Sequence, residues 1–100
     1  MKLYQFLLPI ADNTGKSYHD AITLWQSKAL HLAGGYSLHG YVNGAWSEGV
    51  IIYHDTLVDL HLACDQDIYE ALVAATFDLF PDQLAIFTAE IGTAHIINRV

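Results

Sequence analysis

Two acidic residues in the middle of the chain are the best candidates for chemistry. Glu48 and Asp55 lie in a run of β-forming residues that also carries Tyr36, Tyr41, Trp46 and Tyr53. A carboxylate beside aromatic faces attracts a cation, through charge pairing and through the electron-rich ring face. The sequence therefore predicts a site in which Asp55 and Glu48 are the catalytic acids and the four aromatic residues contact the ligand. The alternative for each acid is a solvated turn or bulge position.

Histidine and cysteine raise the question of metal or nucleophile chemistry. The six histidines are His19, His31, His39, His54, His61 and His95. No two of them have the i,i+2 or i,i+4 spacing of a local metal site, and no HExxH motif occurs. We therefore predict no metal and no cofactor. Cys64 is the only cysteine and alternates with Leu60 and Leu62, so we expect a small buried residue rather than a nucleophile.

Composition restricts the partners. Eleven acidic residues against four scattered basic ones give a net charge of −7, which argues against nucleic acid as a partner because phosphate backbones need clustered lysine and arginine. Hydrophobic residues make up 53% of the 100 positions. A single domain over residues 1–100 has a small interior for so much apolar material, and we therefore expect a homo-oligomer.

The apolar runs and the cysteine count indicate where in the cell the protein is expected. No apolar run is long enough to span a bilayer, so we expect no membrane partner. The N-terminal stretch is interrupted by Gln5 and Pro9 and is a poor signal peptide. A lone cysteine excludes an intrachain disulfide. These features predict a cytoplasmic protein.

Periodicity and turn residues predict the order of elements. Ser17 and Asp20 have the spacing of a capping box at the start of the first helix, and Gly34-Gly35 suits its end. The predicted elements are a strand at Lys2–Leu8, a helix at 17–33, a strand from Tyr36, a returning strand through Thr56–Cys64, a helix from Asp65 or Asp67 to Phe80, a strand at Leu84–Thr88 and a short terminal strand at Ala94–Asn98. The βαββαβ order predicts an α+β, ferredoxin-like domain: an antiparallel sheet with two helices on one face.

The chain reversal between the second and third predicted strands has two interpretations. Asn43-Gly44 is the stronger short-range turn signal. A turn at Ser47-Glu48-Gly49 would instead extend the first of these strands through Trp46 and leave Asn43-Gly44 as a bulge. Both remain open at the level of sequence.

Several short motifs suggest a family. The chain contains Gly34-Gly35-Tyr36, then Gly44-Ala45-Trp46, an acid just before an alternating strand, and Gln83-Leu84-Ala85-Ile86. Over most of its length it resembles the small phage-encoded S-adenosylmethionine (SAM) lyases, formerly described as SAM hydrolases. The resemblance implies a trimer with active sites at subunit boundaries.

The resemblance also implies a reaction and its residues. The carboxylate of SAM attacks the carbon next to its own sulfonium, which releases methylthioadenosine and homoserine lactone. Asp55 is the nearest match to the family's glutamate and Trp46 to its tyrosine, whereas Glu48 matches only in another register. Asp55 would orient the cationic substrate, with Trp46, Tyr41 or Tyr53 packing on it.

Two classes of function follow. The first is a SAM lyase, used by a phage against host restriction. The alternative is a non-catalytic oligomeric module that binds a small molecule or presents an acidic surface to another protein, for example as an anti-defence factor.

Overall fold

The fold is a four-stranded antiparallel sheet with two helices packed on one face. The computed structural model describes residues 1–99. Its elements are β1 (Lys2–Pro9), α1 (His19–Ala33), β2 (Ser37–Glu48), β3 (Ile51–Cys64), α2 (Gln66–Leu79) and β4 (Phe87–Thr93), and the strands are ordered β2-β3-β1-β4. The predicted ferredoxin-like α+β fold is confirmed.

Alternation along the two central strands builds the core. The β1 side chains on the helix side are Tyr4, Phe6 and Leu8, and those of β3 are Val58, Leu60, Leu62 and Cys64; all are buried. Trp25 of α1 is fully buried among them, with its ring centroid 5.2 Å from that of Phe6. The expectation of a buried Cys64 is confirmed.

The two ends of α1 are stabilised differently. Gly34 adopts the left-handed conformation at φ 83°, and its N–H donates to the carbonyl of Leu30 at 3.1 Å. This helix end is as predicted. The predicted capping box is wrong, because Tyr18 occupies the N-cap position and makes no side-chain cap bond. Ser17 instead accepts a hydrogen bond from the N–H of His19 at 3.1 Å.

The helices are short. They span 15 and 14 residues, and none found in residues 1–99 combines the length and apolarity needed to traverse a bilayer.

The hairpin between β2 and β3 closes later than its strongest turn signal. Glu48 pairs with Ile51, so Gly49-Val50 forms a two-residue turn with Gly49 at φ 62°. Positive φ at the first turn residue alone is the type II′ pattern, which matches the twist of paired strands. Asn43-Gly44 is neither turn nor bulge, because both residues pair within the strand. The bulge lies instead at His39-Gly40, where Gly40 has φ 99°.

The last part of the chain forms one strand rather than two. The predictions of strands at Leu84–Thr88 and Ala94–Asn98 were wrong in their bounds. Pairing with β1 runs from Leu7 opposite Phe87 to Lys2 opposite Thr93, and Lys2 is the first residue of β1. Residues 94–99 carry no strand, and the N–H of Ala94 donates to the carbonyl of Met1.

Candidate functional site

The end of the β2–β3 hairpin extends beyond the rest of the sheet. Pairing between β1 and β3 stops at Pro9 opposite Leu57, and one further bond joins the N–H of Ile10 to the carbonyl of Thr56. Beyond it, strand residues 43–48 and 51–55 pair within the hairpin. We call residues 43–56 the arm. The chain measures 55 Å along its longest axis against 25 and 23 Å along the others. The arm contains four of the six residues that the sequence singled out as a site.

These four residues lie on one face of the arm. Trp46 pairs with Tyr53, and Glu48 and Asp55 belong to the pairs on either side that share the same face. This is the open face of the sheet, opposite to the helices. The rings of Trp46 and Tyr53 are stacked, with centroids 6.0 Å apart and planes inclined by 22°. The register therefore places both candidate acids beside the aromatic pair.

The geometry at these residues is a ribbon rather than a cleft. Glu48 is exposed and Asp55 is half-buried. The arm has only two strands, so in one subunit its aromatic and acidic side chains form an open surface rather than an enclosed pocket. A ligand here would need further contacts from another molecule. The binding role of these residues stays a prediction.

The other two predicted ligand contacts lie elsewhere. Tyr41 pairs with the buried Val58, which places it on the helix side of the sheet, where it is 74% exposed. The bulge at His39-Gly40 causes this change of face relative to simple alternation. Tyr36 precedes β2 and packs against the hydrophobic core. Neither residue joins the acids of the arm.

The open face also carries a polar cluster that the sequence patterns did not predict. It consists of Gln5, Ser37, His39, Asp59 and His61. The imidazole rings of His39 and His61 are stacked, with centroids 3.8 Å apart. His61 Nε2 lies 2.9 Å from Asp59 Oδ1, and Gln5 Nε2 donates to the same oxygen at 3.0 Å. We call this the histidine cluster.

A signal for the histidine cluster exists in the sequence. Ser37 and His39 have i,i+2 spacing in one strand, as do Asp59 and His61 in the next. Ser37 Oγ lies 2.7 Å from His39 Nε2, and Ser37 pairs with His61 across the strands. Two polar i,i+2 pairs on adjacent strands meet when the register aligns them, but the register is not local information. Among residues 1–99, no three histidine, cysteine or acidic side chains converge as metal ligands.

The strand order and the two helices define a ferredoxin-like domain with an extended central hairpin. Solved structures share this architecture. The chain is similar to the divalent cation tolerance protein CutA1 of Thermus thermophilus, with a TM-score of 0.72 and 9% identity over 96% of this chain and 86% of that one. It is also similar to CutA1 of Ehrlichia chaffeensis, with a TM-score of 0.63 and 16% identity over 95% and 87%.

A third similar structure is CutA1 of the psychrotrophic bacterium Shewanella sp. SIB1, with a TM-score of 0.64 and 12% identity over 94% of this chain and 85% of that one. No family model matches the sequence, and no curated protein matches it. Identities this low show a shared fold and no more.

The prediction of a SAM lyase was wrong. The similar structures are CutA1 proteins rather than SAM lyases, so the lyase activity and the phage anti-restriction role have no support. The motifs behind the resemblance have structural explanations. Gly34 ends α1, and a Cβ on Gly44 would lie only 3.1 Å from Leu57 Cδ1. Both glycines meet backbone requirements of the fold. Their presence in the motifs therefore reflects structure rather than lyase activity.

Proposed function

We propose that this protein is a non-catalytic, acidic binding module that functions as a homo-oligomer, with the arm and the open face as the contact between copies. The main observation in support of this proposal is that the accessible surface area of the chain is large for its mass. The chain exposes 6726 Å², whereas a monomer of 11.1 kDa is expected to expose about 5,700 Å². The excess of about 1,000 Å² resembles the area that one partner contributes to a standard interface, about 800 Å².

The arm supplies apolar surface for such a contact. Val50 is 99% exposed, Ile52 64% and Trp46 49%. Two-stranded ribbons are only marginally stable in water on their own, and each apolar side chain left in water forgoes its burial energy. A second copy that covered the arm would stabilise the two-stranded ribbon and bury its apolar side chains.

A ring of three copies is the specific assembly we propose. A head-to-tail contact, in which each arm lies on the sheet of the next copy, is heterologous and forms a ring when the rotation between copies closes. Each copy would place its arm on the open face of the next. The unpaired backbone edge of β2 offers further hydrogen bonds to a neighbour. We propose residues 1–100 as one domain of this ring and, because Cys64 is free, the cytoplasm as its location.

The ligand we propose is a cation held at the subunit boundary. Each copy contributes a net charge of −7, and assembly concentrates that charge. A second copy would enclose the open surface that Asp55, Trp46 and Tyr53 form in one subunit. The similar structure from Thermus thermophilus is named a divalent cation tolerance protein, which makes a divalent cation the first ligand to test. Its ligating side chains would come from more than one subunit.

Sedimentation velocity tests the assembly. We expect the wild-type protein at micromolar concentration to have three times the mass of its 11.1 kDa chain. Trp46→Glu places a charge in the contact and should weaken association at least about tenfold. Leu24→Glu is the matched control, because Leu24 is 55% exposed on α1, away from the open face of the sheet, and it should assemble normally.

The outcomes separate the parts of the proposal. A wild-type monomer, or a Trp46→Glu variant that assembles like wild type, overturns the proposed contact. A stable dimer or tetramer overturns the three-membered ring and keeps the homo-oligomer. Circular dichroism of each variant verifies that the subunit is folded.

Calorimetric titration with zinc chloride tests the ligand. Asp55→Asn should weaken binding at least about tenfold, since it removes a charge at the boundary. Asp67→Asn makes the same change of net charge on the exposed first turn of α2 and should bind like wild type. Equal affinities for the two variants would overturn the role of Asp55.

A further inference from the structure

We propose that acid separates the copies of this protein, and that the histidine cluster is the device that makes assembly sensitive to pH. The inference rests on the proposed contact between copies, because the cluster lies on the open face that this contact covers. It adds a regulation that a merely apolar interface would lack.

The cluster holds two stacked imidazoles, one of which, that of His61, lies against the carboxylate of Asp59. The rings of His39 and His61 are 3.8 Å apart and inclined by only 25°. The side chains of His61 and Asp59 are 18% and 14% exposed, so water reaches them poorly even in a single subunit. His39 is exposed and lies over His61, where a neighbouring copy would cover it.

The strands around the cluster offer no second counter-charge. On β1 the facing residue is the neutral Gln5, and on β4 it is Ala89, which pairs with Gln5. On β2 the neighbouring group is the hydroxyl of Ser37. The next acid along β3 on this face is Asp55, two residues before Leu57 and beyond the end of β1.

Charges on the other face of the sheet are already paired. Glu90 of β4 pairs with Tyr4, whose side chain points to the core, so Glu90 lies on the helix side. Its Oε1 lies 3.0 Å from Lys2 Nζ. Within residues 1–99, Asp59 is therefore the one carboxylate at hydrogen-bond distance from the stacked pair, and it contacts His61.

Protonation proceeds in two steps with different consequences. Histidine ordinarily gains its proton between about pH 8 and pH 5. The first proton makes an imidazolium that Asp59 neutralises within hydrogen-bond distance. The second makes a like charge stacked on the first. In a free subunit, water can hydrate the exposed His39, whereas under a neighbouring copy it cannot.

The direction of the effect follows from this difference. Separated copies take up the second proton more readily than assembled ones, so lowering the pH favours separation. The overall charge would act in the opposite direction. Protonated histidines reduce the net charge of −7 and thereby reduce repulsion between copies. Separation in acid therefore requires a local cause.

Sedimentation velocity at about pH 7.5, 6.5 and 5.5 tests the inference across the histidine range. We expect the wild-type dissociation constant to rise at least about tenfold over this interval, equivalent to about 1.4 kcal/mol. His39→Gln retains a hydrogen-bonding group beside Ser37 but removes one titrating ring, so its assembly should change less than about threefold. His31→Gln, an exposed change on α1, should respond like wild type.

A second variant guards against an indirect effect of the first. His61→Gln removes the like charge stacked on His39 but leaves His39 to be covered by the neighbouring copy, so it should reduce the response without abolishing it. Circular dichroism at each pH shows whether the subunit remains folded. A wild-type pH response in both variants, or a wild-type oligomer that persists unchanged at the lowest pH, would overturn the inference and leave the proposed function standing. A monomer at the highest pH would overturn the proposed function itself.

Discussion

Trp25 of α1 and Thr76 of α2 are joined by a buried hydrogen bond across the two helices. The indole Nε1–H donates to Thr76 Oγ1 at 2.9 Å, and the two residues are 0% and 1% exposed. Thr76 Oγ1 in turn donates to the carbonyl of Leu72 at 2.6 Å. The polar atom of the largest core side chain thus has its partner inside the core, which fixes how the helices align.

Replacing Thr76 by valine should destabilise the protein measurably. The change preserves shape but leaves the indole N–H buried without an acceptor, which costs about 1–3 kcal/mol. Urea unfolding followed by tryptophan fluorescence measures the free energy of unfolding. Thr23→Val is the matched control: Thr23 Oγ1 donates to the carbonyl of His19 from an exposed position, and the change should stay within about 0.5 kcal/mol. Equal losses in both variants would contradict a special role for the Trp25–Thr76 bond.

Adjacent glycines at the end of α1 should respond differently to alanine. Gly34 has φ 83°, whereas Gly35 lies outside the left-handed region, and a Cβ on either would meet no atom within 4 Å. Gly34→Ala should therefore lower the free energy of unfolding by about 1–2 kcal/mol through backbone strain. Gly35→Ala should be neutral or slightly stabilising, because it restricts the unfolded chain. Thermal unfolding of the two variants compares them directly, and a larger loss for Gly35→Ala would refute the assignment of the helix end.

Cys64 should resist alkylation in the folded protein. It is 4% exposed, and burial, reinforced by the nearby Asp65 and Asp67, raises the pKa of its thiol. Iodoacetamide at about pH 8 should react at least about tenfold more slowly with the native protein than with the urea-unfolded chain. Rapid native labelling would contradict the buried position. Because folding disfavours the thiolate, its contribution to stability is present below about pH 8.5 and is lost as the pH rises further.

The periodicity of the chain was sufficient for the fold because each element carries its own pattern. Gly34-Gly35 predicts the end of α1, and the alternation of Leu60, Leu62 and Cys64 predicts the core face of β3. Both are local properties that single residues and their near neighbours encode. The motif-based family resemblance failed because Gly34 and Gly44 reflect backbone requirements that unrelated functions share.

The sequence by itself determined the order of the main elements, the glycine end of α1 and the buried position of Cys64, since these depend on local geometry and periodicity. Only the tertiary structure decided that the hairpin closes at Gly49-Val50, that β4 starts at Phe87 and that His39 stacks on His61. The physical reason is register. Strand pairing joins residues far apart in the chain, and a bulge such as that at His39-Gly40 changes which face every later residue occupies.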